Sequence, residues 1–154
     1  MDDNQAVFDE HCMREAFRLA QRAFQEDEVP VGAVIAFENR IIARAYNQVE
    51  TLKDPTAHAE MIAITQATST LCNKWLYDCT MYVTLEPCSM CAGALVLARV
   101  SRICYGADDP KTGACGSVFN IAGSSGLNHT VKVSGGILRE ECSHILSTFF
   151  QNKR

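Results

Sequence analysis

From about Asn4 to Gln25, apolar residues recur at three- and four-residue steps, with Met13, Ala16, Phe17, Ala20, Ala23 and Phe24 falling on one face. That periodicity predicts an amphipathic helix with one buried side. Arg14, Arg18 and Arg22 follow at four-residue intervals on another face, with Glu10 one turn before Arg14, which reads as a solvated surface stripe. The pattern then changes. Val31-Gly32-Ala33-Val34-Ile35-Ala36-Phe37 predicts a buried strand, and the polar break Glu38-Asn39 joins it to Arg40–Tyr46 as a hairpin. Asp54-Pro55-Thr56 offers a cap, a proline set near helical φ and a hydroxyl, so a helix is predicted from about Ala57 to Leu71. Thr80–Leu85 is a β-branched and aromatic strand, Pro87 opens a helix to about Ala98, and Arg102–Gly106 is a further strand. Ala107–Asn128 carries glycines and little periodicity and reads as a structured loop region, the usual place for a substrate-binding edge. Thr130–Val133 is a short fifth strand and Gly135-Gly136 a break. The last helix, from about Arg139 to Phe150, is predicted to bury Cys142, Ile145, Leu146 and Phe149.

Strands alternating with helices after an initial hairpin predict an α/β fold, a mixed and roughly five-stranded sheet covered by helices. At 154 residues the length suits a single domain spanning 1–154. With 47% hydrophobic and 21% charged residues, disorder and collagen-like repeats are excluded. The formal charge of −4 argues against nucleic-acid binding by bulk positive charge, but its distribution narrows that exclusion. Residues 1–28 hold eight acidic and three basic side chains, and residues 29–154 hold ten acidic and eleven basic. A small nucleic-acid loop captured base by base therefore stays possible. The N-terminus (Met1 to Gln5) lacks the basic start and apolar run of an export leader. The strongly apolar stretch around Cys91–Ala98 is far short of the ~20 residues that span a bilayer. A cytoplasmic protein without membrane partners is expected, whose eight cysteines stay reduced. Some of them should bind metal, and the rest should pack as small hydrophobes. Cys12, Cys72, Cys79, Cys104 and Cys142 are expected to pack, and Cys115 to be exposed in the glycine-rich loop. His11, His129 and His144 have no ligand partner at a useful spacing.

Two segments carry chemistry: Pro55-Thr56-Ala57-His58-Ala59-Glu60 and Glu86-Pro87-Cys88-Ser89-Met90-Cys91. A C-x-x-C pair alone could be redox-active or half of a structural zinc knuckle. Here Cys88 and Cys91 start a helix, where two residues three apart share a face and the helix N-terminus favours the thiolate. No second C-x-x-C completes a four-cysteine site, and the nearest complement is His58. Three protein ligands leave zinc a fourth position for water, the arrangement of a catalytic site. Glu60 sits among Ala59, Met61, Ile62, Ala63 and Ile64, where an unpaired buried charge is costly; beside activated water it would serve as a proton shuttle. In a regular helix, residues two apart point roughly 160° from each other, so His58 and Glu60 reach one site only at an irregular first turn.

His58-Ala59-Glu60 followed by Pro87-Cys88-Ser89-Met90-Cys91 is the H-x-E…P-C-x-x-C pattern that marks the zinc nucleobase deaminases. The resemblance is closer than that superfamily. Glu28–Ala33, Pro55–Glu60, Leu85–Ala94, Gly106–Gly113 and the Phe149-Phe150 pair resemble the bacterial tRNA-specific adenosine deaminases, over a span from about Val7 to Phe150. The resemblance implies the three-layer α/β/α fold of the cytidine deaminase-like proteins. It implies one zinc ion per subunit on His58, Cys88 and Cys91, and proton shuttling by Glu60. It further implies water attack on C6 of adenine to leave inosine, at the wobble position of an arginine tRNA anticodon stem-loop, by a homodimer. Asn47 would hydrogen-bond the purine, Val31 would wall the base pocket, and the Ala59 backbone N–H would read a ring nitrogen. Asp108, Asp109 and Lys111 would meet flanking nucleotides, and Phe149 would lie near the splayed loop. Taken without the resemblance, Asn47 and Asp108-Asp109-Pro110 are ordinary turn residues and Phe149 is a core aromatic. The chain ends four residues after Phe150, where related enzymes often carry a longer basic tail, so weaker or more salt-sensitive tRNA binding is expected. Two other functions compete. One is a guanine, cytosine or nucleoside deaminase, which need not keep the Asp108–Gly113 loop or Phe149-Phe150. The other is a non-catalytic zinc-stabilised interaction domain, for which Glu60 would be dispensable.

Overall fold

The computed structural model of the protein describes residues 3–154. Met1 and Asp2, part of the stretch read for an export leader, lie outside the described residues. The chain runs α1 (Asp3–Gln25), β1 (Gly32–Phe37), β2 (Arg40–Tyr46), α2 (Val49–Leu52), α3 (Ala59–Leu71), β3 (Cys79–Leu85), α4 (Ser89–Leu97), β4 (Arg102–Ala107), β5 (Lys132–Gly135) and α5 (Arg139–Asn152). The sheet order is β2-β1-β3-β4-β5. β1 pairs antiparallel with β2 and β3, while β3, β4 and β5 are parallel neighbours.

Alternation along the strands divides the core between two faces. Ala33 and Ile35 of β1, Met81 and Val83 of β3, and Ile103 and Tyr105 of β4 pack with Ala63 and Ala67 of α3 and Leu95 of α4. Their neighbours Val34, Ala36, Tyr82 and Cys104 pack with Cys12, Met13 and Ala16 of α1. α5 joins α1 on this second face, with Cys142 against Gly106, and the three layers follow. Gly32 permits the close approach of α1, since a Cβ there would lie 2.0 Å from the Ala16 carbonyl oxygen. Arg14, Arg18 and Arg22 point to solvent and pair with Glu10 and Glu141, Glu15 and Glu26 respectively. Beneath α1, the buried Asp9 carboxylate accepts hydrogen bonds from Tyr82 Oη at 2.6 Å, Gln5 Nε2 at 2.9 Å and both terminal nitrogens of Arg102.

Several local expectations change. Asp54-Pro55-Thr56 does not start the helix: Asp54 Oδ1 accepts the Thr56 N–H and hydroxyl in a turn of its own, and α3 begins at Ala59. Pro87 likewise precedes α4 by two residues. β5 lies two residues later than predicted, because its register with β4 pairs Arg102 with Lys132 and Tyr105 with Gly135. The one-turn α2 carries no periodicity to predict it. On α5, Cys142 and Phe149 are buried as expected, but Ile145 and Leu146 are only half-buried. Cys72 is exposed rather than packed, being the left-handed residue that ends α3. Cys115 is buried rather than exposed, since the loop holding it folds back over the α3–α4 side of the core.

Candidate active site

Because β1 runs antiparallel to both its neighbours, its start lies level with the ends of β2, β3 and β4. Val31, Asn47, Glu86-Pro87-Cys88 and Asp108-Asp109 therefore leave the sheet together. Open α/β sheets place ligands at such carboxyl ends. A cleft of about 1060 Å³ opens there, lined by Val31, Asn47, His58, Glu60, Glu86, Cys88, Asp109 and Phe149 among others.

His58 and Cys88 are the residues that immediately precede α3 and α4. Both are extended (φ −72°, ψ 151° and φ −75°, ψ 177°), and neither side chain caps its helix. The two side chains meet instead. His58 Nδ1 lies 3.6 Å from Cys88 Sγ and 3.5 Å from Cys91 Sγ, and the three donor atoms are all within 4.8 Å of one another. Among the described residues this is the one His/Cys/Asp/Glu group of three or more so gathered. Since His58 precedes the helix and Glu60 is the second residue of α3, the extended cap resolves the opposed directions that a regular helix would impose.

Electrostatics follow from these contacts. A hydrogen bond from Cys91 and another with His58 hold the Cys88 thiol down to about 4 despite burial, and Cys91 is correspondingly pushed up. The contact with Cys88 raises His58. Glu60 is 4% exposed, and burial pushes its carboxyl up to about 7, against the opposing pull of a backbone hydrogen bond, the nearby His58 and a hydrogen bond with Cys91.

The other expected residues divide. Asn47 is buried, its N–H donating to the Val31 carbonyl at 3.0 Å. Ala59, the first residue of α3, is buried and its first-turn N–H has no partner within a helix. Phe149 is buried edge-to-face against Phe24 and also lines the cleft. Lys111 is not on this cleft; it lies with Phe150, Lys153 and Arg154 on an adjoining groove that shares Asp109. Asp108 is outside both, accepting the Tyr105 hydroxyl at 2.9 Å and pairing with Arg139 at 3.5 Å.

Two buried carboxylates of the cleft had no role among the expectations. Glu28 is fully buried, and its carboxylate accepts the N–H of Glu50 (3.0 Å), the N–H of Thr51 (2.7 Å) and the Thr51 hydroxyl (2.6 Å). Gln48 provides no side-chain cap for α2, so Glu28 caps it from a distance, directly after Asn47. Glu86 does the same for the loop after β4, taking the N–H groups of Asp109, Cys115 and Ser117 and the Ser117 hydroxyl. Burial alone would raise both carboxyls, but these donors hold both below the usual range. Each lies inside a resembling segment, beside a proline or one residue from it; that placement was the available signal.

Residues 8–154 match the MafB19-like deaminase family. The chain is 49% identical over 148 residues to the tRNA-specific adenosine deaminase of Haemophilus influenzae, covering 96% of this chain and 86% of that one. It is 52% identical over 145 residues to the tRNA-specific adenosine deaminase of Aquifex aeolicus, covering 94% and 95%. Among solved structures, one from a study of A-to-I editing by tRNA:A34 deaminases superposes with a TM-score of 0.85 at 42% identity, over 88% of this chain and 99% of that one. A guanine deaminase from Nitrosomonas europaea superposes at 0.78 with 25% identity, over 91% and 83%. The five-stranded mixed sheet between two helical layers is thus the cytidine deaminase-like fold.

Proposed function

The chain belongs to the MafB19-like deaminases and to the tRNA-specific adenosine deaminases, and from that premise we propose that it converts the wobble adenosine of an arginine tRNA anticodon loop to inosine. Water adds at C6 of the purine, the C6–N bond breaks, and ammonia leaves. The observation that carries this reading is the meeting of His58, Cys88 and Cys91 at a cleft that also takes in Glu60.

One nitrogen and two sulfurs form a donor set that suits zinc. Bonds of about 2.0 and about 2.3 Å at a tetrahedral angle require N···S separations of ~3.5 Å, close to the 3.6 and 3.5 Å between His58 and the two cysteines. One zinc ion per subunit, held by these three residues, would supply Lewis-acid activation of water. The Glu60 carboxylate takes a proton from the attacking water and returns it to the departing amine. The Asn47 amide holds the purine, Val31 forms an apolar wall, and the Ala59 N–H reads a ring nitrogen. Asp108, Asp109, Lys111 and Phe149 meet the neighbouring nucleotides. The unit is one deaminase domain over residues 1–154, working as a cytoplasmic homodimer on the anticodon stem-loop. Apolar side chains that one subunit leaves to solvent, such as Leu97 and Phe119, support the dimer. Among the described residues, no helix is long and apolar enough to cross a membrane.

Purified protein offered an arginine anticodon stem-loop and, separately, adenosine, guanine and cytosine tests the substrate. The stem-loop is expected to turn over fastest. Faster turnover of a free base would favour the guanine deaminase reading that the Nitrosomonas neighbour represents.

A further inference from the structure

The mechanism above leaves unused two buried carboxylates that border the cleft, Glu28 and Glu86, and Glu86 stands in the turn that carries Cys88. Glu86 is 2% exposed and stands two residues before Cys88. Oε1 accepts the Asp109 N–H at 3.0 Å; Oε2 accepts the N–H groups of Cys115 at 3.0 Å and Ser117 at 3.1 Å; the Ser117 hydroxyl donates to Oε1. Every one of these donors lies on the segment from Asp109 to Ser117, which leaves β4 and folds back over the start of α4. The Ala114 N–H donates to the Pro87 carbonyl at 2.8 Å, and Gly113 pairs with Cys88. At Gly113 the loop passes so close that a Cβ would lie 2.5 Å from Glu86 Cδ.

The anchoring continues outward. Asp109, fixed by its own N–H, uses its carboxylate to accept the N–H groups of Lys111 (3.0 Å) and Thr112 (3.1 Å) and the Thr112 hydroxyl (2.7 Å). Asp109 and Thr112 line the cleft with Glu60 and Cys88, and together with Lys111 they border the adjoining groove. A carboxylate already accepting four hydrogen bonds has no vacancy for proton transfer. It can hold backbone in place, and what it holds is one wall of the cleft against the turn that carries Cys88.

We propose that Glu86 is a positioning residue for substrate: its carboxylate latches the Asp109–Ser117 loop onto the Glu86–Cys88 turn and so sets the wall against which the nucleotide beside the reacting base lies. This rests on the proposed tRNA reading. It assigns Glu86 to binding rather than to chemistry or to metal retention.

Glu86→Gln tests it, because the amide keeps the shape but presents an NH2 to groups that are themselves donors. Ser117→Ala, which removes one hydroxyl from an exposed residue, is the milder second variant. The measurements are zinc content, kcat and KM on the anticodon stem-loop, and amide hydrogen exchange. Losing a hydrogen bond to a charged group should raise KM about tenfold in Glu86→Gln and by a smaller factor in Ser117→Ala. Zinc content and kcat should stay at wild-type values, and exchange should quicken over residues 109–117 but not in α4. A loss of zinc or of kcat would instead make Glu86 a support of the ligand turn, and an unchanged KM would mean that the wall is set without it; either overturns the proposal. Should Glu86→Gln fail to fold, Ser117→Ala decides by the same readouts. If the wild type itself does not turn over the stem-loop, the tRNA reading fails, and with it the substrate role given to the latch; the exchange data then report separately whether Glu86 holds the loop.

Discussion

Glu60 and Glu86 line the same cleft and are almost equally buried, at 4% and 2%, yet their carboxyls shift in opposite directions. At the start of α3, Glu60 has little beyond a backbone hydrogen bond, Cys91 and a nearby histidine to offset desolvation, and it rises to about 7. In the turn between β3 and α4, Glu86 receives three backbone N–H groups and a hydroxyl and is held below its usual range. Low solvent exposure alone therefore does not decide the direction. Desolvation acts on both and wins at Glu60, whereas at Glu86 three N–H donors and a hydroxyl outweigh it. Glu28, which also lines the cleft, repeats the Glu86 case with α2. Glu28 and Glu86 each gather several donors at the cleft, and Glu60 gathers fewer.

The largest expected break comes from Glu60→Gln. With metal retained, kcat on the stem-loop should fall by about 10²–10⁴, the usual scale for a general acid–base. Substantial turnover in the metal-replete variant would sink the proton-shuttle role. With chelator present, a second readout follows from the sign of the shift. A raised carboxyl favours the folded chain fully below its ordinary value of 4.5, and that contribution is lost as pH rises to about 7. The variant should accordingly gain on the wild type in urea midpoint between those limits.

Asp9, on the far face of the sheet, extends the comparison with an ion pair. Burial would raise it, but hydrogen bonds from Arg102, Tyr82 and Gln5 hold it below its ordinary 3.8. Its contribution is present above that value and lost as pH falls through the lower folded value. Asp9→Asn should cost about 3 kcal/mol at neutral pH, at the low end for a buried pair because Arg102 keeps 19% of its side chain exposed. It should also flatten the acid limb of the urea midpoint against pH; an unaltered limb would mean that another carboxylate dominates acid unfolding. A smaller effect is expected for Gly113→Ala, where the new Cβ would crowd Glu86 and the Asp109 carbonyl, each at 2.5 Å. Overpacking of this kind costs about 1–3 kcal/mol and should raise KM alongside, as a displaced latch would. A stable variant with normal KM would show that the loop yields freely.

Much of the fold was legible because it is periodic. The three-and-four spacing of Met13, Ala16, Ala20 and Ala23, the hairpin about Glu38-Asn39, and the apolar run of β3 each bury one face or two, and burial writes itself into the order of residues. The donor set of His58, Cys88 and Cys91 was legible through donor type and the C-x-x-C spacing. Asp54-Pro55-Thr56 misled because the chemistry that starts a helix also closes a turn, and nothing local says which. Cys115 misled because a glycine-bearing loop looks exposed until a buried carboxylate draws its backbone down.

From the residues alone came the element types, the donor set and the presence of a glutamate two positions beyond the histidine, since these depend on neighbours within a few turns of chain. Tertiary packing determined that two helix starts 30 residues apart, at His58 and Cys88, face each other. It also determined which buried carboxylates find donors. Those of Glu28 and Glu86 come from backbone N–H groups 22 to 31 residues away, and a backbone N–H is the same group in every residue but proline. No pattern of side chains can announce where it will point.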